Sequence, residues 1–388
     1  MATPTLALIP TGYKAGKLYS VLPESGVGDF TVVRATEATR VNAEGLIETV
    51  GANVPRLDYS GGGCPVLLTE PQSTNLVPYS EDFNSGWIQY GSPTINISSI
   101  ISPNGTLNGS KITRGSNATP LRYANVTTLN QEYTFSVYAK KGSVDIMILD
   151  IGDVAQVEFT LTDEWQRFEI TQTPTTFTHI DISFGTSTSG DNFYIWGAQL
   201  EQGSYPTSYI KTEGSAVTRN GDQVNGAGDA ATFNDSEGVL MAEYSDFDND
   251  SFRQLTLSNG SNSNAISIMN TTTENQVVCF VNNGGVTQAS ISTILNSTHE
   301  FNKIAIKYKA NDTVVYINGF ERGTDTSGTV PTSLNTLNFD NGAGSGDVYG
   351  NTKQIQYFNT ALTDSELETL TSWTSFIEMA QAQNYNII

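Results

Sequence analysis

Lys303-Ile-Ala-Ile-Lys-Tyr-Lys309 runs into Ala310-Asn-Asp312 and then into Thr313-Val-Val-Tyr-Ile-Asn318. Ile304, Ile306 and Tyr308 alternate with Lys303, Ala305 and Lys307, a period of two that gives a strand one buried and one wetter face. The turn-prone residues between the two runs suit a hairpin. The same alternation recurs along the chain. Tyr133, Phe135 and Val137 interleave with Thr134, Ser136 and Tyr138; Val157, Phe159 and Leu161 repeat it, as do Ile180, Ile182 and Phe184, followed by a run from Phe193 to Leu200. Further strands are predicted at Val239 to Tyr244, Gln254 to Leu257, Ala265 to Met269 and Gln276 to Val281. Turn clusters such as Pro103-Asn-Gly105, Lys141-Gly-Ser143 and Ser189-Gly-Asp191 separate the runs. The pattern predicts an all-β protein built from β-sandwiches.

One segment departs from it. Thr363-Asp-Ser-Glu366 fits a capping box, and Leu367, Leu370, Trp373 and Ile377 follow on one helical face, so a C-terminal helix is predicted from Thr363 to about Ala380. Two β-sandwich domains in series are expected, at 73–211 and 229–380, joined by a Gly-punctuated linker at 212–228. Residues 1–72 read as an N-terminal arm with short strands, Asp29 to Arg34 and a hairpin over Arg40 to Val50, and too few apolar residues for a private core. The tail 381–388 carries no pattern.

Composition narrows the function. Nineteen Lys+Arg against 40 Asp+Glu give a net charge of −21 over 388 residues, and such a surface repels phosphate backbones, so no nucleic-acid partner is expected. Aliphatic stretches such as Val66-Leu-Leu68 are far too short for membrane insertion, and the start of the chain lacks a basic, apolar leader pattern. Cys64 and Cys279 make no disulfide framework, which suits assembly in a reducing cytoplasm; the Asn-x-Ser/Thr triplets at Asn96, Asn108, Asn125 and Asn296 are then chance products of composition.

Two sets of segments carry a resemblance. Thr69-Glu-Pro-Gln-Ser-Thr-Asn-Leu-Val-Pro-Tyr-Ser-Glu-Asp-Phe83 with Trp87, and Tyr194-Ile-Trp-Gly-Ala-Gln-Leu-Glu-Gln-Gly-Ser-Tyr-Pro-Thr-Ser-Tyr-Ile210, resemble the carbohydrate-binding-module-like jelly roll of bacteriophage tail-fibre, tailspike and head-fibre proteins. Ala38 to Ile47 and Pro55 to Tyr59 resemble the same proteins. Val315-Tyr-Ile-Asn-Gly319 with Ile355 to Leu367 resembles the end of a laminin-G-like, concanavalin A-like sandwich. The resemblance implies a virion structural protein, a fibre or spike of tail or capsid, assembled in the bacterial host cytoplasm. It implies a homo-oligomer, most often a homotrimer, that meets other virion proteins through the N-terminal arm and host surface glycans through its sandwiches. A carbohydrate-active enzyme, lyase or hydrolase, on a concanavalin-like sandwich is the alternative, and a purely architectural virion protein a further one.

No enzyme is expected: His179 and His299 have no nucleophile motif nearby, and the Glu-x-Asp-x-x-Glu strand of sandwich hydrolases is missing, since Glu243 and Asp246 depart from its spacing. Asp246, Asp248 and Asp250 alternate in an acidic loop of the kind hard cations favour, so calcium is the one cofactor to consider. An EF-hand reading fails, because Ser251 and Leu257 occupy its Gly and Glu positions. The resemblance also implies Glu81 and Asp82 as candidates for a calcium in the first sandwich. For carbohydrate binding, Trp87, Tyr90 and Trp196 are the aromatics expected to stack on sugar rings, provided they face outward.

Overall fold

The computed structural model describes residues 2–248, 251–375 and 378. It is all-β with one helix among the described residues, and it divides into two compact units. Unit 1 comprises 1–36, 51–71 and 221–388; unit 2 comprises 37–50 and 72–220. The chain therefore passes back and forth between the units instead of completing one before the next.

Unit 1 is a sandwich. One eight-stranded sheet holds, among others, Glu237–Asp246, Asn302–Lys309, Thr313–Ile317 and Gly350–Phe358. A five-stranded sheet holds Val286–Ile294, Gln276–Asn283, Ala265–Asn270, Arg253–Ser258 and Thr336–Asn338. Leu240, Ile304, Ile306 and Ile355 of the first meet Leu257, Ile266, Ile268 and Val281 of the second in one core. The alternate residues Val239, Met241, Ala305 and Val314 lie on the opposite face, where Leu362, Leu367 and Leu370 cover them. This is why Glu237–Asp246 is buried along nearly its whole length. The covering helix is Asp364–Thr371, opened by the predicted capping box at Thr363 and Glu366. It ends at Thr371, so Trp373 lies beyond it, and Ile377 lies outside the described residues.

Residues 1–72 are not a free-standing arm. Leu6–Leu8 pairs antiparallel with Gly350–Phe358, and Leu6, Leu8, Leu18, Phe30 and Val32 are part of the unit 1 core. The expected linker, 212–228, contains the crossing from unit 2 to unit 1 after Asn220, but its residues are built into sheets: Gln223–Asn225 pairs with Phe30–Val33 in a four-stranded sheet. A buried ion network fastens these segments. Asp222 accepts from Arg34 at 2.9 Å, from Arg56 and from the Glu70 backbone N–H at 3.0 Å, while Arg56 also pairs with Glu70. Burial works against the Arg56 charge, but Asp222 and Glu70 outweigh it and hold its pKa above the ordinary arginine value.

Unit 2 is a second sandwich of two five-stranded sheets. One orders Thr94–Ile101, Leu107–Thr113, Asn192–Gln202, Tyr133–Lys141 and Gln166–Gln172; the other orders Ile88–Gln89, Leu121–Tyr123, Ile180–Phe184, Ile146–Ile151 and Val157–Thr160. Phe135, Val137, Ile195 and Leu200 face Leu149, Ile180, Ile182 and Phe184 across the core. The outer face of the first sheet is covered by the hairpin Ala38–Val41/Ile47–Val50, whose Ile47 packs with Trp196 and Tyr209. The Asn42 side chain shapes that hairpin's turn by accepting from the N–H groups of Glu44 and Leu46 at 3.1 and 2.9 Å.

Candidate functional site

With the first sheet of unit 2 covered by its hairpin, the second sheet offers the outer face to examine. Arg122 lies directly opposite Asp181, and Asp181 directly opposite Asp150, on three adjacent strands. Cross-strand partners share a face, so these three charged side chains stand together on the side away from the core. Their neighbours Leu121, Ile180, Ile182, Leu149 and Ile151 point the other way and fill it. His179, two residues before Asp181, falls on the same outer side.

Asp153 joins them through a tight turn. Gly152 and Asp153 both have positive φ, 66° and 56°. A Cβ at Gly152 would stand 2.6 Å from both the Phe177 carbonyl oxygen and the Pro174 Cβ, so only glycine fits there. The turn sets the Asp153 N–H 2.6 Å from Asp150 Oδ1 and Asp153 Oδ1 3.1 Å from His179 Nε2. Arg122 grips Asp181 with two hydrogen bonds, Nε to Oδ1 at 2.8 Å and Nη2 to Oδ2 at 2.7 Å. That pairing, chiefly the hydrogen bonding, lifts the Arg122 pKa above its ordinary value; burial lifts the Asp150 carboxyl.

Aromatic rings stand at both ends of this polar strip. The Arg122 guanidinium lies 5.8 Å from the Tyr90 ring centroid, and the Phe177 ring lies 5.7 Å from that of His179. Tyr90 is 37% and Phe177 49% exposed, with Ile88 42% exposed on the edge strand. The two rings and Arg122 are the accessible part of the strip, whereas His179, Asp181 and Asp150 are buried; exposed rings beside a guanidinium suit a flat polyhydroxylated ligand, which presents apolar C–H faces and hydroxyls together.

Of the aromatics singled out by sequence, Tyr90 is therefore the one on an accessible face. Trp87 packs in the unit 2 core with Phe83 and Tyr123 and donates its indole N–H to the Tyr79 carbonyl at 3.2 Å. Trp196 is fully buried beneath the hairpin. Neither presents a ring face for stacking. Asp246 ends a strand and is buried; it accepts from Asn270, and its Oδ1 lies 3.3 Å from His299 Nδ1. It is not a solvent-exposed loop carboxylate. Asp248 follows the strand, and Asp250 lies outside the described residues. Glu81 is occupied by Tyr209 and Asn108 at 2.9 Å each, beside a cavity of about 350 Å³ that Lys211 also lines. Asp82 folds back onto Asn84 N–H and Ser85 Oγ. Unit 1 has a cavity of about 450 Å³ lined by Asp58, Cys64, His299 and Lys353, among others.

Sequence reading misses the acidic cluster. Its trace is Asp181 within the run Ile180 to Phe184 and His179 just before it, together with Asp150 near the end of the strand Ile146–Ile151 and Asp153 just past it.

No protein-family profile and no curated relative matches the chain. Among solved structures, the CBM40 domain of a Ruminococcus gnavus IT-sialidase is similar at TM-score 0.32 and 16% identity, over 36% of this chain and 84% of that one. Domain 4 of AbnA, an extracellular arabinanase of Geobacillus stearothermophilus, aligns at TM-score 0.28 and 12% identity, over 44% and 84% of the two chains. A pentraxin from Limulus polyphemus aligns at TM-score 0.29 and 12% identity, over 36% and 71%. Likenesses this weak lend nothing to the functional reading below.

Proposed function

We propose that this chain is a non-catalytic, glycan-contacting structural protein of a bacteriophage particle, and that Tyr90, Arg122 and Phe177, the accessible side chains along this strip, are its contact surface. The observation that carries the glycan part is the pair of exposed rings flanking the bidentate Arg122–Asp181 pair on an outer sheet face. The virion part rests on the resemblance of the segments around Asn75 and Gln199. Those segments meet in the fold: Asn75 donates to the carbonyls of Ala198 and Ile210 at 3.1 and 2.8 Å, and Gln199 Oε1 accepts from the Ile210 N–H at 2.6 Å.

The test is direct binding of the full chain to purified bacterial surface polysaccharides, by calorimetry or glycan array, with Y90A and F177A alongside. Each substitution is expected to weaken binding about tenfold or more, near 1.4 kcal/mol, with the circular dichroism spectrum unchanged. Undiminished binding by the Y90A/F177A double variant would place the contact surface elsewhere. Release of oligosaccharides from the polysaccharide would overturn the non-catalytic reading.

A further inference from the structure

Asp150, Asp153, His179 and Asp181 each offer a ligand atom, and these four atoms lie within 4.8 Å of one another. Two of the separations are already short: His179 Nε2 is 3.1 Å from Asp153 Oδ1 and 3.7 Å from Asp181 Oδ2. Ligand atoms about 2.1 Å from a tetrahedral cation stand about 3.4 Å apart, so these pairs are near the spacing that a shared cation imposes.

Asp150 is only 2% exposed, and its Oδ2 has no hydrogen-bond partner among the described residues, while Oδ1 accepts from the Asp153 N–H. A buried carboxylate oxygen without a donor carries a desolvation cost that something must offset. Arg122 does not reach it: its guanidinium is committed to Asp181 and comes only to 3.7 Å from Asp153 Oδ1. Three aspartate side chains and one imidazole thus converge beside a single guanidinium, that of Arg122.

We infer that Asp150, Asp153, His179 and Asp181 form a divalent-cation site on the outer face of unit 2. Three carboxylate oxygens and one imidazole nitrogen favour a first-row cation such as Zn²⁺ or Mn²⁺, which accept mixed oxygen and nitrogen ligands, over Ca²⁺, which is usually held by oxygen alone. Arg122 acts as a positioning residue. Its two hydrogen bonds fix the plane of the Asp181 carboxylate and leave that group acceptor capacity for the metal, as partners of ligating carboxylates commonly do. Gly152 positions Asp153, since its left-handed turn returns that carboxylate to His179.

Cation binding is read without any sugar, so it succeeds or fails independently of the glycan reading. The full chain, stripped with chelator, is titrated with ZnCl₂ and separately with MnCl₂ and CaCl₂ by calorimetry. One saturable equivalent of Zn²⁺ or Mn²⁺ is expected above the diffuse binding of a chain with net charge −21, with Ca²⁺ weaker. D150N and H179Q should each weaken that equivalent by about tenfold to a hundredfold. The imidazole resonances of His179 should shift on addition of Zn²⁺ while those of His299 do not. Absence of a saturable equivalent overturns the site, as does an equivalent that D150N and H179Q leave intact. Should D150N fail to fold, H179Q together with the His179 resonances decides the matter.

Discussion

Arg34 donates to Asp222 at 2.9 Å across 188 positions of sequence, and both side chains are essentially removed from solvent. The same guanidinium donates to the carbonyls of Thr36, Gly51 and Val54 at 3.1, 2.8 and 3.1 Å. One side chain thus fixes the points where the chain leaves unit 1 after residue 36, re-enters it at 51 and returns at 221.

Removing one partner of such a network leaves the others charged and buried. Asp222→Ala is therefore expected to destabilise unit 1 by about 3–5 kcal/mol, because Arg34 and Arg56 lose their shared acceptor. Urea denaturation followed by a unit 1 probe checks this. A loss below about 1 kcal/mol, the range of a surface pair, would mean that the network is open to water.

Deleting residues 1–36 tests whether they belong to unit 1. Leu6, Leu8, Leu18, Phe30 and Val32 would all leave its core. At about 1.5–3 kcal/mol per buried apolar side chain the loss matches the whole stability of a typical domain. Unit 1 should unfold while unit 2 keeps its dispersed amide spectrum. A truncated chain with both units native would restore the independent-arm reading.

Burial raises the Asp246 carboxyl to about 6, against a lowering by the Asn270 hydrogen bond and by His299. The sign follows from proton binding. A carboxyl raised in the folded state binds more protons folded than unfolded, so the contribution of Asp246 to stability is greatest below about pH 4 and is lost as pH rises through about 6. Asp246→Asn removes this component. The stability of D246N relative to the parent should rise between about pH 4 and pH 7 by up to about 3 kcal/mol, measured by denaturant titration at each pH. A difference that stays flat with pH would show that Asp246 is not proton-linked to folding.

The strands were legible because burial on one face imprints a period of two, as in Ile304, Ile306 and Tyr308, and the helix start because its cap is local, Thr363 with Glu366. The allocation of residues 1–72 and 212–228 to the units was not legible, whereas that of 73–211 and 229–380 was. Arg34, Arg56, Glu70 and Asp222 are polar residues in turn-rich stretches, and a buried ion network leaves no local periodicity; such stretches read as arm and linker. The site was half legible. Tyr90 could be named as an aromatic but not placed outward, and Trp196 gave the same signal while lying under a hairpin 150 residues away in sequence. Bringing Asp150 to Asp181 requires the register of two strands, which no single window contains.

Asn75 is fully buried and uses its whole amide: Nδ2 donates to Ala198 and Ile210 carbonyls, and Oδ1 accepts from the N–H groups of Val77 and Leu200 at 3.1 Å each. Asn75→Ala orphans four backbone groups at about 1 kcal/mol or more apiece, so a loss of about 4 kcal/mol is expected, a fall of about 10 °C in the unit 2 melting temperature. Asn75→Asp keeps the acceptor but turns a carboxylate toward two carbonyl oxygens, and it should be no better. Calorimetric melting of both variants, with glycan binding measured below the transition, separates two roles for the segment. A structural clamp lowers the melting temperature and leaves the affinity of the folded protein unchanged. Reduced affinity at an unchanged melting temperature would instead make Asn75 part of a binding surface, which its complete burial and its four backbone partners argue against.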